Sequence, residues 1–225
     1  MCGRYVSPDE AAIEREFALT RAGLGLAAHY NVAPSQAVPA VRLVDGSPRL
    51  DLLRWGLVPF FAKGKPGAYS TINARIETIE TSASYRMPWR RGQRCILPAL
   101  GFYEWHVNPD GSKQPYYIHL VDQGVFGLAG LWDRSVAADG TVIESCTIIT
   151  LPANPLLAEI HNVKQRMPAI LSREMRQLWL GADPAAAHEA LRAYPAADMI
   201  AYPVGKRVNS PRNDDAGLIE KTAVP

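Results

Sequence analysis

Val38-Pro39-Ala40-Val41-Arg42-Leu43-Val44-Asp45-Gly46-Ser47-Pro48-Arg49-Leu50-Asp51-Leu52-Leu53-Arg54-Trp55 reads as two strands about a tight turn. Val38–Val44 and Leu50–Trp55 are rich in apolar and β-branched residues. Asp45-Gly46 suits a two-residue hairpin loop, whose central positions need positive φ. Toward the C-terminus the same texture repeats. Arg94–Leu97, Phe102–Val107, Tyr116–Leu120, Val125–Trp132 and Val142–Thr150 read as strands, with turns at Asn108-Pro109-Asp110-Gly111 and Ala138-Asp139-Gly140. Toward the N-terminus, residues 7–18 read as a helix. Ser7 is the expected N-cap, Pro8 suits the first helical position, and Glu10 completes a Ser-x-x-Glu capping box. Leu171–Trp179 and Pro184–Tyr194 read as further helices, capped by Ser172 and Asp183. Many short strands with helices mainly at the two ends predict an α+β fold. The expectation is a single domain over residues 1–225, built on a curled, barrel-like, mainly antiparallel β-sheet with flanking helices.

A chain of 225 residues can bury roughly 70% of its unfolded surface and needs no staple to hold a core. Hydrophobic residues at 48% and charged residues at 20% exclude a disordered or fibrous class. Net charge is +2, too small an excess to identify a polyanion partner. No apolar run approaches the roughly 20 residues of a membrane span, and Met1–Phe17 lacks the apolar core of a signal peptide. The three cysteines, Cys2, Cys95 and Cys146, are too few and too scattered for a disulfide scaffold or a Cys-x-x-Cys zinc site. P-loop, GxGxxG, HExxH and GxSxG patterns are absent. The sequence therefore predicts a cytoplasmic protein with no metal and no cofactor.

Cys2 carries the most chemical information. Initiator methionine is removed when the second residue is small, which would leave an N-terminal cysteine. Its α-amine, reference pKa about 8, then lies beside a thiol of reference pKa about 8.5. Such a 1,2-aminothiol condenses with an aldehyde: the amine forms an imine and the thiol closes a five-membered thiazolidine, the second step being intramolecular. The bland alternative is an incidental cysteine on a frayed terminus. Asn73 and Arg75 in Ile72–Thr78 share one face if that segment is extended, offering an amide and a phosphate-binding guanidinium; the alternative is a turn and a solvated face. Tyr85–Arg94 interleaves four arginines with two aromatics, a composition that suits single-stranded nucleic acid and equally a soluble surface loop. Glu104 lies between Phe102, Tyr103 and Trp105, where desolvation would raise its pKa into the range useful for proton transfer. His161 follows a short turn and helix at 151–160; a lone histidine is more often structural than catalytic. Cys95 and Cys146 read as small buried hydrophobes.

Taken in order, Met1-Cys2-Gly3-Arg4-Tyr5, Tyr30-Asn31-Val32-Ala33-Pro34, Arg54-Trp55-Gly56-Leu57-Val58-Pro59, Ile72-Asn73-Ala74-Arg75, Arg94-Cys95-Ile96-Leu97-Pro98, Gly101-Phe102-Tyr103-Glu104-Trp105, Gly130-Leu131-Trp132, Ile160-His161 and Arg166-Met167-Pro168 resemble the SRAP (SOS response-associated peptidase) family. The resemblance covers nearly the whole chain. It implies a sensor of abasic sites in single-stranded DNA that crosslinks to them through Cys2 after Met1 is removed, with possible lyase and self-processing peptidase activity. By the same resemblance Asn73 holds the linkage, Glu104 shuttles protons, and His161 assists sugar ring opening and reversal. Arg4, Arg75 and Trp105 are implied to grip the backbone and stack on bases. Pro34, Phe60 and Phe61 are implied to line the DNA channel. The implied partner is abasic single-stranded DNA, without a membrane and with the protein a monomer, in the cytoplasm and at the nucleoid when DNA-bound. The stretch from His161 to Arg166 is longer than the family's compact His-x-Arg-Met-Pro form.

Two rival classes share these residues. An N-terminal-nucleophile amidohydrolase would use Cys2 on a small amide and ignore abasic DNA. A non-covalent single-strand-binding module would keep its affinity when Cys2 becomes alanine.

Overall fold

The computed structural model describes residues 2–67, 70–122, 124–181 and 183–222; Met1, whose removal the sequence predicts, lies outside them. The hairpin forms as expected. β1 (Arg4–Ser7) and β2 (His29–Val32) precede β3 (Ala37–Val44) and β4 (Ser47–Trp55), and the connecting Asp45 and Gly46 take φ of 50° and 77°, the positive values such a turn requires. β5 (Asn73–Arg75) follows, then β6 (Arg94–Ala99), β7 (Gly101–Val107), β8 (Lys113–Leu120), β9 (Phe126–Val136) and β10 (Val142–Pro152). β11 (Arg166–Pro168), β12 (Ile170–Leu171) and β13 (Met199–Pro203) complete the strands.

Among the described residues, β10-β4-β3-β6-β9 pair in that order and β9 returns to β10, closing a five-stranded barrel. The β4–β10 pairing is parallel and the others in the ring are antiparallel. Closure brings backbones close together. A Cβ on Gly130 of β9 would meet the Leu97 side chain at 2.6 Å and Thr147 O at 2.7 Å, so this position takes only glycine without a shift. β13-β8-β7-β1-β2 form a second sheet. Tyr5 of that sheet packs edge-on to Trp55 of the barrel, ring centroids 5.4 Å apart, which locks the two layers over one core. The sheet's other face buries Val6, Tyr103 and Tyr117 beneath Val204, Val208 and Leu218.

The helices depart from expectation at their ends. α1 (Glu10–Phe17) is capped by Asp9, whose carboxylate accepts from Ala12 N at 2.8 Å. Ser7 instead ends β1, because strand pairing to β2 claims its backbone. Glu10 accepts from Leu24 N and Leu26 N at 3.0 and 3.1 Å and so pins the loop after the helix. The supposed arginine loop contains α2 (Arg86–Arg90): Trp89 is buried against Trp179, and the buried Arg94 guanidinium lies over both rings at 5.4 Å. Arg86, Arg90 and Arg91 stay exposed, while Tyr85 and Trp89 are core. α3 (Pro155–Ile160) is capped by Asn154. α4 (Arg173–Gly181) starts two residues after the expected Leu171, which pairs in β12. α5 (Pro184–Glu189), capped by Asp183 as expected, stops five residues short of Tyr194. The Tyr194 carbonyl is taken by Asn154 Nδ2 at 2.8 Å, which draws that segment out of the helix.

Trp55 ties this frame to the region of Asn73, since its Nε1 donates to Ile72 O at 3.0 Å. Trp55→Ala is expected to cost roughly 3–5 kcal/mol in urea unfolding, with Trp55→Phe losing less. A cost no larger than that of a surface change, about 0.5 kcal/mol, would show that the two layers do not depend on it.

Candidate functional site

The register of β1 on β7 decides the site. Arg4 pairs with Tyr103, so the chain ahead of β1 runs alongside Glu104 and Trp105 and delivers Cys2 there. Cys2 is fully buried. Its carbonyl accepts from Asn73 Nδ2 at 2.8 Å, and its thiol contacts Arg4 O at 3.8 Å. Asn73 is positioned by β5, which runs parallel to β10 with Asn73 opposite Ile148; Tyr85 donates its hydroxyl to the Asn73 carbonyl at 3.0 Å. Asn73 Oδ1 is buried without a hydrogen-bond partner among the described residues. It is an acceptor held beside Cys2 at a real desolvation cost.

Glu104 is 2% exposed. Burial pushes its pKa up to about 7, because an ionised carboxylate loses its water. The Cys2 thiol is pushed far up, first by burial and then by the charge of Glu104. It is held as a thiol and needs a base before it can attack. His161 closes the site from the C-terminal end of α3, its Nδ1 3.9 Å from Glu104 Oε1. That nitrogen lies 3.0 Å from Arg166 O and 3.3 Å from Arg166 N. The two contacts call for opposite tautomers; the shorter one, to a carbonyl that can only accept, favours the proton on Nδ1 and the lone pair on Nε2. Burial lowers the His161 pKa, which favours the neutral ring.

Arg166 fixes that loop. Its guanidinium pairs with both oxygens of Glu77 and donates to Thr150 O at 2.6 Å, binding the segment after β5 to β11. The resulting cavity, about 400 Å³, is lined by Ile72, Glu104, Trp105, His161 and Lys164.

The structure thus brings Cys2, Asn73, Glu104 and His161 to one place from four separate segments. The remaining expected residues sit around it differently. Trp105 is half-buried on the cavity wall, its Nε1 donating to Asn209 Oδ1 at 2.9 Å. Arg75 is exposed at the end of β5. Arg4 donates through Nη1 to Asn31 Oδ1 at 2.9 Å and to Val208 O at 2.8 Å, so it also fastens the C-terminal segment. Pro34 is exposed and lines a neighbouring cavity. Phe60 and Phe61, 41% and 50% exposed, stand on a loop held by Val58 N to Ser145 Oγ, Phe60 N to Asp133 Oδ2 and Gly64 N to Ser135 Oγ. They do not line the His161 cavity. Sequence reasoning passed over Lys164, which enters the cavity wall on the lengthened His161–Arg166 loop, and Glu77, whose partner is 89 residues away; the extra loop length was the available signal for the first.

The sequence model described as SOS response associated peptidase (SRAP) matches residues 1–211. The abasic site processing protein YoqW of Bacillus subtilis (strain 168) is 43% identical over 195 residues, covering 85% of each chain. The abasic site processing protein HMCES of Mus musculus is 31% identical over 223 residues, covering 82% of this chain and 62% of that protein. A solved structure of a protein from Bacteroides thetaiotaomicron superposes with a TM-score of 0.87 at 27% identity, covering 99% of this chain and all of that one.

Proposed function

The chain belongs to the SOS response associated peptidase (SRAP) family, and on that premise we propose that it recognises abasic sites in single-stranded DNA and captures them covalently through Cys2. The observation that carries this reading is the burial of Cys2, an aminothiol once Met1 is removed, beside the Glu104 carboxyl, whose pKa burial pushes up to about 7. Relatives that match over most of this chain are named abasic site processing proteins, which supports the substrate class.

With Met1 removed, the Cys2 α-amine adds to the aldehyde of the ring-opened sugar, and the carbinolamine loses water to give an imine. The thiol then adds to the imine carbon, its proton passing to nitrogen, and a thiazolidine results. Asn73 Oδ1, an unpartnered acceptor, suits the N–H of that amine. Glu104 suits both proton steps: as acid it protonates the departing hydroxyl, and as carboxylate it accepts the thiol proton. The His161 Nε2 lone pair suits removal of the anomeric hydroxyl proton when the sugar opens. The imine also acidifies the adjacent sugar carbon, which permits β-elimination and hence lyase activity. Arg75 and Trp105 suit phosphate and base contacts, and Arg4 retains an Nη2 edge whose contact to Asn209 O is 3.3 Å. The protein acts in this reading as a DNA-associated monomer. Among the described residues no helix is long and apolar enough to cross a membrane.

The test is a denaturing gel of purified protein with single-stranded DNA carrying one abasic site made by uracil excision, alongside the intact strand. The expected result is a heat-stable adduct with the abasic strand alone, from protein whose intact mass lacks Met1. Protein that begins at Cys2 and forms no adduct would overturn the reading and direct attention to small amides.

A further inference from the structure

Ile72 is a wall common to two cavities. On one side lies the Glu104–His161 cavity. On the other is a cavity of about 290 Å³ lined by Pro34, Ser35, Arg54, Gly56 and Thr71. The second is a built feature. The Arg54 guanidinium donates to Gly56 O from Nη1 at 2.7 Å and to Ser35 Oγ from Nη2 at 2.9 Å. Gly56 adopts φ +116°, and a Cβ there would come within 2.9 Å of Arg54 Nη1. The glycine therefore leaves room for Arg54 Nη1 against the backbone. Ser35, at φ 74°, is held by its N–H to Trp55 O at 2.8 Å. Arg54 is fixed before any ligand arrives, which removes much of the ordering cost of binding.

Its holders carry no charge. Arg42 rests on Asp51 and Glu144, Arg176 on Glu16 and Arg166 on Glu77, so each of those cations meets a carboxylate. Arg54 is held by a carbonyl and a hydroxyl, which orient the fork, and among the described residues no carboxylate pairs with it. A half-buried, pre-oriented guanidinium with donors to spare matches a phosphate in charge and geometry.

We propose that Arg54, seated on Gly56 and Ser35, binds a phosphodiester of the lesion-bearing strand where that strand crosses Ile72 to reach the Glu104–His161 cavity. The proposal rests on the abasic-DNA reading above and adds a strand-positioning site to it. It makes Arg54 a register device: one phosphate fixed beyond Ile72 sets which sugar enters the cavity.

The test measures equilibrium binding to a single strand bearing a stable abasic analogue, in a Cys2→Ala background so that no bond forms. Adding Arg54→Gln is expected to weaken binding several-fold and to take about 0.7 off the slope of log affinity against log salt, one single-strand phosphate contact. A neutral methylphosphonate at one linkage beside the analogue should cost the parent the same factor and cost the Arg54→Gln protein nothing more. Two results would overturn the proposal. One is an unchanged salt slope, even if Arg54→Gln lowers the thermal midpoint, since that marks a structural arginine. The other is equal sensitivity of both proteins to every neutralised linkage. Failure of wild-type protein to form the heat-stable adduct, with the Arg54 dependence intact, would sink the covalent reading and leave this site standing.

Discussion

Cys2→Ala is expected to abolish the heat-stable adduct with abasic single-stranded DNA, lowering its yield by roughly 10²-fold or more. The size follows from the two roles packed into one residue. Alanine keeps the α-amine, so an imine still forms, but an imine hydrolyses and does not survive heating. The thiol is what converts a reversible linkage into a closed ring, and its attack benefits from being intramolecular. Cys2→Ser should fall between: the hydroxyl can close an oxazolidine, a labile ring that borohydride reduction at the imine stage would reveal and heat would destroy. Because Asn73 Nδ2 holds the Cys2 carbonyl and not its side chain, both substitutions leave the anchoring bond in place, and the comparison isolates the sulfur. A heat-stable adduct persisting at wild-type level in Cys2→Ala would move the nucleophile elsewhere, with Lys164 on the cavity wall the first candidate to mutate.

The barrel was legible because its strands are long enough to show their own pattern. β3, β4, β6, β9 and β10 are bounded by turns whose residues require particular φ values, and the Asp45-Gly46 loop needs nothing from elsewhere in the chain. The short strands were not legible. β5 has three residues and β12 has two, too few for any periodicity; each exists because β10 or β9 offers an edge. Arg4 shows the same limit for a side chain. Its anchors, Val208 and Asn209, lie more than 200 positions away, and nothing local to Gly3-Arg4-Tyr5 announces them. Asn31 is the complementary case: Tyr30-Asn31-Val32-Ala33-Pro34 stood out as a motif, yet the reason is its buried amide, which accepts from Arg4 and donates to Ser210 O and Asn213 O at 3.0 and 2.9 Å. Glu104 was readable in kind, since a carboxyl flanked by aromatics must be desolvated. That it would meet Cys2 was not, because the β1–β7 register is a tertiary fact.

Glu104→Gln is expected to slow adduct formation by roughly 10²–10⁴-fold, the usual worth of a positioned acid–base, while making the protein more stable above neutral pH. The two effects share one cause. Burial lifts the folded pKa to about 7 from a reference of 4.5. Between those values the folded protein holds a proton that the unfolded chain has released, so stability falls as pH rises through this window and levels off above about pH 7. Each unit is worth about 1.4 kcal/mol, which places the wild-type loss on the order of 3 kcal/mol. Glutamine does not titrate, so the difference between wild type and Glu104→Gln should open between about pH 4.5 and 7, read by denaturant midpoints across that range. His161, whose lowered pKa costs stability in the opposite direction as pH falls, is present in both proteins and largely cancels. The rate should show the same group: adduct formation by wild type is expected to fall on both sides of about pH 7, losing the acid form above it and the base form below it. A rate that is flat through neutrality, or a stability difference that does not widen between about pH 4.5 and 7, would mean that Glu104 is ionised in the folded protein and is not the proton shuttle. The stability given up to keep this carboxyl dry is what makes its pKa useful, since a solvated glutamate at pH 7 would have no proton to give to the departing hydroxyl.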